Sequence, residues 1–151
     1  MYKTILVPVD GSKRAEVILP HVEELARLYN AKVIFLRVVE QPALIMGSKE
    51  THRAHWELQQ KEQEKRKNEA ESYLSTLQGE FKERGIEAVA QVVHGPVVEG
   101  IMTAAEREEA DLIALASHGR SGLTRVFYGS VAAGVLQRAD RPLLLIRARS
   151  D

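Results

Sequence analysis

Residues Ser117–Ser130, SHGRSGLTRVFYGS, hold the residue types that can cradle an anion. Gly119, Gly122 and Gly129 let backbone amides approach a ligand closely. A helix starting at Ser130 would aim its first-turn N–H groups at the same place. Arg120 and Arg125 lie in the same stretch and can neutralise the charge. The chemistry implied is binding of a phosphate-bearing ligand. An acid placed at Gly129 or Ser130 should therefore block the phosphate while leaving the fold intact.

Such a loop needs a strand before it and a helix after it. Asp111–Ala116 (DLIALA) reads as a buried strand and Ser130–Arg138 (SVAAGVLQR) as a helix. Thr4–Val9, Lys32–Val39 and Pro142–Ile146 are similar near-continuous apolar runs, as expected of parallel strands covered on both faces. Ile86–Val93 alternates more and reads as a strand nearer an edge. Between the strands lie helical patterns. Val17, Ile18, His21, Val22, Leu25, Ala26 and Leu28 follow a capping Ser12 and stop at Asn30. Ala70, Leu74, Leu77 and Phe81 form a stripe ending at Gly85, and Val97–Arg107 is a helix opened by Pro96. Residues 41–68 lose periodicity. They read as a loop followed by a polar, helix-prone solvated stretch, with Trp56 and Leu58 anchoring its start to the body. Strand and helix alternate throughout, which predicts one α/β domain over residues 1–151: an open, doubly wound, five-stranded parallel sheet with helices on both faces.

In such a sheet the ligand crevice lies beyond the C-terminal strand ends, where strand order reverses. Asp10 stands at the tip of the first strand, where a carboxylate can accept bonds from ribose hydroxyls or assist a metal; it also suits a helix N-terminus. Ser117 and His118 are a nucleophile and a base by type, but sequence neighbours rarely face each other productively. His52 and His55 share a helix face with no third metal ligand evident, and His21 and His94 read as packing or surface residues. The chain has no GxxxxGK[ST], no GxGxxG after its first strand and no GxSxG.

Composition narrows the classes further. With 21 basic and 21 acidic side chains in 151 residues, no net field recruits nucleic acid or an anionic membrane. Cysteine is absent, no apolar run reaches membrane-spanning length, and MYKTILVPVD does not resemble a signal peptide, so a cytoplasmic location is expected.

The segment Ala116–Ser130 resembles the nucleotide-binding loop of the universal stress protein family, whose ATP-binding members carry Gly-x2-Gly-x9-Gly-[Ser/Thr]. Gly119 takes the second glycine position, Arg120–Tyr128 fill the spacer, and Gly129-Ser130 complete it. A first strand ending Pro-Val-Asp-Gly-Ser, a polar central helix, Gly95-Pro96 and a final Arg-Pro-Leu-Leu-Leu-Ile extend the resemblance over the whole chain. It implies the sheet order 3-2-1-4-5, a homodimer through the last strand, and ATP in the crevice, with Mg or Mn carried by the nucleotide. By position, Asp10 would meet the ribose or metal region, Pro8 and Val9 would wall the pocket, and Val38 would offer backbone groups to the adenine edge. Gly119, Gly129, Ser130 and Val131 would bind phosphates. Arg120 would add charge, and Ser117 and His118 would lie within the nucleotide loop. Ala116 replaces the first motif glycine, and binding is expected to survive there with reduced affinity.

The expected function is an ATP-binding module, a dimeric regulator in stress response or signalling, with no catalytic residue assigned. Two alternatives stand beside it: a slow metal-dependent ATP phosphohydrolase organised by Asp10, and a protein whose loop is vestigial and whose charged helix recruits partners. No protein partner is indicated by the residues themselves.

Overall fold

The computed structural model describes residues 1–40, 49–117 and 129–148. Five strands form one parallel sheet: β1 (Thr4–Pro8), β2 (Lys32–Val39), β3 (Ala88–His94), β4 (Leu112–Ala116) and β5 (Leu143–Ile146), in the spatial order β3-β2-β1-β4-β5. Four helices connect them: α1 (Leu19–Tyr29), α2 (Lys49–Glu83), α3 (Val97–Arg107) and α4 (Ser130–Arg138). The doubly wound α/β class is as the residue pattern indicated and the order 3-2-1-4-5 as the family resemblance implied, and the alternating β3 is an edge strand.

Strand side chains alternate between faces, which explains runs that are apolar throughout. Ile5, Val7, Val33 and Phe35 pack with Ile18, Val22, Leu74, Leu77 and Phe81 on the face of α1 and α2. Leu6, Ile34, Leu36, Ile113 and Leu115 pack with Ile101, Ala104, Ala132 and Val135 on the face of α3 and α4. The connections before β3 therefore cover one face and those after it the other. The sheet reverses its winding between β1 and β4, and a crevice must open above those strand ends.

Local chemistry sets the boundaries. Ser12 Oγ accepts the Ala15 N–H at 3.2 Å, but what it caps is a 3-10 turn, Ala15–Ile18, that leads into α1. Asn30 ends α1 in the left-handed region, φ 55°, and its N–H returns to the Ala26 carbonyl. The Asp111 carboxylate receives the N–H groups of Lys3 (2.9 Å) and Thr4 (3.1 Å), tying the start of β1 to that of β4.

The polar, helix-prone stretch is helical, and residues 49–68 are continuous with the 70–81 stripe in one 35-residue helix, α2, about 52 Å long. The expected anchoring and burial of three apolar residues are corrected. Trp56 and Leu58 do not anchor it, being 54% and 64% exposed. Leu28 likewise leaves the core at 73% exposure. The first half of α2 has no apolar stripe to bury; strong helix formers and i,i+4 pairs such as Glu62–Arg66 and Lys67–Glu71 suffice to continue a helix that its buried second half has already nucleated. Trp56→Ser should accordingly change unfolding free energy by less than about 0.5 kcal/mol in urea titrations, the range of ordinary surface changes. A larger loss would mean that Trp56 is anchored after all.

Candidate functional site

A cleft of about 660 Å³ opens above the C-terminal ends of β1, β2 and β4. The segment after β1 supplies Pro8, Val9, Asp10 and Gly11, and β2 supplies its end from Leu36 to Val39, with Glu40 beyond. The opposite side is built by Leu115, Ala116 and Ser117 leaving β4 and by Gly129 to Ala132 starting α4. Every described candidate from the sequence lies here: Pro8, Val9, Asp10, Val38, Ala116, Ser117, Gly129, Ser130 and Val131. His118, Gly119 and Arg120 lie outside the described residues, as do Gly122 and Arg125.

Asp10 is oriented by its own turn. Its Oδ1 accepts the Ser12 N–H at 2.9 Å, with Gly11 between them at φ 85°, so the carboxylate is held at the strand tip. Across the cleft, Gly129 has φ 79° and ψ 154°, a region essentially reserved for glycine. A Cβ there would stand 2.5 Å from the Ser117 carbonyl oxygen. The end of β4 and the start of α4 are thus in direct backbone contact, and only glycine permits it. The expectation that an acid at Gly129 leaves the fold intact is corrected by this contact; the same expectation stands for Ser130, which is exposed at the first position of α4. The first-turn amides of α4 have no intrahelical acceptor, and the helix's positive end borders the cleft.

Among the described residues, two hydroxyls in the lining are buried without a well-formed hydrogen bond: Ser117 Oγ and Tyr73 Oη. Native interiors satisfy nearly all such groups, so two in one cleft call for a partner that arrives with a ligand. Burial at 2% exposure also argues against Ser117 as an exposed nucleophile. Burial pushes the Tyr73 hydroxyl's pKa up to about 12, aided by the negative charges of Glu16 and Asp10. It therefore stays protonated and able to donate across the physiological range.

Residue reading missed one wall. Arg66, Glu69, Ala70 and Tyr73 come from α2, and Arg37 from β2. The available signal was position: Tyr73 directly precedes Leu74 of the buried stripe, where a polar-tipped aromatic reaches the core margin.

Among the described residues no group of three or more His, Cys, Asp or Glu side chains could hold a metal ion. Glu40 and Glu69 line the cleft with Asp10, but the three do not form such a group. His55 pairs with Gln59 at 3.1 Å on exposed α2, while the side chain of His52 lies outside the described residues. Among the described residues no helix is long and apolar enough to cross a membrane.

Known proteins share this fold. The chain is 28% identical to the universal stress protein MJ0577 of Methanocaldococcus jannaschii, an alignment covering 100% of this chain and 98% of that one. The solved structure of MJ0577 superposes with a TM-score of 0.86 at 29% identity, covering 100% and 99% of the two chains. An Arabidopsis thaliana family member with AMP bound (TM-score 0.68, 19% identity, covering 99% and 94%) and a universal stress protein in complex with cAMP (0.62, 21%, covering 98% and 98%) share the fold. The model of the universal stress protein family matches residues 1–147. With the parallel 3-2-1-4-5 sheet and whole-chain similarity, this chain belongs to the universal stress protein family.

Proposed function

We propose that the cleft binds an adenine nucleotide, ATP foremost, and that the chain acts as one nucleotide-binding α/β domain over residues 1–151. The observation that carries this is the facing of two unlike poles across one cleft: the Asp10 carboxylate on one side and the Gly129–Ser130 start of α4 on the other. A carboxylate suits sugar hydroxyls, and a helix N-terminus beside a bare glycine suits phosphate. AMP and cAMP in two structures of the same fold support the ligand class. Pro8 and Val9 wall the pocket, Val38 offers backbone groups to the base, and Gly129, Ser130 and Val131 take phosphates. Ala116, Ser117, His118, Gly119 and Arg120 complete the nucleotide loop. Mg or Mn enters with the nucleotide, carried on its phosphates.

Titration calorimetry with ATP and magnesium, paired with mass analysis of small molecules released from the purified protein, tests this reading. Saturable heat at one site per chain is expected. Flat titrations with ATP, ADP and AMP would overturn it and favour a vestigial loop. Asp10→Ala separates holding from hydrolysis: weakened binding without measurable turnover in either protein supports a module, whereas turnover lost with binding retained supports a phosphohydrolase.

We further propose a homodimer through β5, in a cytoplasmic regulator of stress response or signalling. β5 is an edge strand whose four residues, Leu143–Ile146, are all only partly buried, and a bare apolar edge invites pairing. Sedimentation at micromolar concentration should show two-chain particles; a monomer counts against the β5 interface.

A further inference from the structure

Tyr73 is not among the site residues that the family resemblance assigns, yet its hydroxyl is buried in the cleft lining without a well-formed hydrogen bond. The Glu16 carboxylate lies close enough to act on it as a charge and as a long hydrogen-bond acceptor, and Asp10 acts on it as a charge, but neither forms a hydrogen bond of good geometry. Phenylalanine would fill the same space without a stranded donor, so packing alone gives no reason for the oxygen. A ligand group does. Its character follows from the surroundings: at the hydroxyl the carboxylates of Glu16 and Asp10 outweigh the Arg37 guanidinium, so a phosphate there would meet net repulsion. The anion's place is across the cleft, at the start of α4. What fits between a carboxylate and a protonated phenol is a neutral group that donates to the first and accepts from the second. A sugar hydroxyl does both.

We propose that Tyr73 and Asp10 together read a ribose hydroxyl, so that this cleft selects ribonucleotides over deoxyribonucleotides. The inference rests on the adenine-nucleotide reading above and adds a specificity residue to it. The high pKa of the Tyr73 hydroxyl keeps it a donor at any pH where the protein would meet nucleotide. A site built to bond a hydroxyl discriminates strongly against the analogue that lacks it, because its own polar groups stay unpaired.

The test measures affinities of ATP, 2′-deoxyATP and 3′-deoxyATP for the wild-type chain and for Tyr73→Phe. Wild type should prefer ATP over at least one deoxy analogue by about tenfold or more, and Tyr73→Phe should narrow that ratio to within about threefold, as a coupled pair requires. The variant should weaken ATP itself while barely altering the discriminated analogue. A purely structural role for Tyr73 would shift all three ligands in parallel. Parallel shifts, retained discrimination in the variant, or equal wild-type affinities each overturn the proposal while leaving nucleotide binding in place. Absence of any binding by folded wild type overturns the nucleotide reading, and this inference with it. The variant's thermal midpoint should equal or exceed the wild type's, since only a hydroxyl without a well-formed hydrogen bond is removed; the wild-type comparison needs no variant at all.

Discussion

Ser130→Glu is expected to abolish ATP binding, by at least ~100-fold, while the protein stays folded with an unchanged or raised thermal midpoint; Gly129→Asp is expected to abolish binding and weaken the fold together. The two positions are neighbours, and what separates them is backbone geometry. Ser130 is exposed at the first position of α4, where an acid is favourable to the helix dipole. Its carboxylate would occupy the same positive end that a phosphate needs. An acid there helps the helix and harms the site.

Gly129 differs, although aspartate is ordinarily a good residue just before a helix. At φ 79° and ψ 154°, any Cβ meets the Ser117 carbonyl oxygen at 2.5 Å, and backbone must move. Strain of this kind costs on the order of 1–3 kcal/mol. Gly129→Ala isolates that term: it carries no charge, yet should lower stability by a similar amount and weaken ATP binding by shifting the start of α4 away from β4. Calorimetry and thermal melts on the three variants check the scheme. Unchanged ATP affinity in Ser130→Glu would remove the phosphate from the start of α4. Unaltered stability in Gly129→Ala would show that the Ser117 contact yields cheaply.

The same contact shows where residue reading reaches its limit. Spacing alone singled out Gly129 and Ser130, because a glycine before a helix start is a local pattern. That Gly129 lies against Ser117 is a tertiary fact, invisible to spacing. The five strands were legible because strands covered on both faces need continuous apolar runs, and β3 was legible as an edge because Ile86–Val93 alternates. α2 was only half legible. Its buried second half shows the 70-74-77-81 stripe, but its first half packs on little, so no periodicity marks it. Trp56 and Leu58 misled for the converse reason: large apolar residues are usually covered, and these are not. Tyr73 entered the site unannounced because its place depends on where a long helix crosses the end of β2. Asp10 was legible as a polar residue at an apolar strand tip, the kind of local inconsistency that marks function.

Phe81→Ala gives the complementary result: a large loss of stability with the site preserved. Phe81 is 1% exposed and meets Phe35 edge-to-face, ring centroids 4.9 Å apart at 89°. Truncating a phenylalanine in such a place costs about 3–5 kcal/mol, from lost transfer energy and the cavity left behind. The edge-to-face pair adds to what is lost. Phe35 sits at the centre of β2, so the cavity opens between α2 and the middle of the sheet, not at the strand ends. Tyr73 lies eight positions earlier on α2, about 12 Å along its axis. Leu74 and Leu77, both buried, still hold the intervening turns to the sheet. ATP affinity, measured at low temperature where the variant remains folded, should therefore stay within about threefold of wild type, as expected of sites more than about 10 Å apart. Urea titration and calorimetry on one preparation decide it. A loss below 1 kcal/mol would contradict the packing at Phe81. Binding lost in a folded variant would show that the cleft's α2 wall depends on the far end of its helix, and the Tyr73→Phe result would then need reading against that coupling.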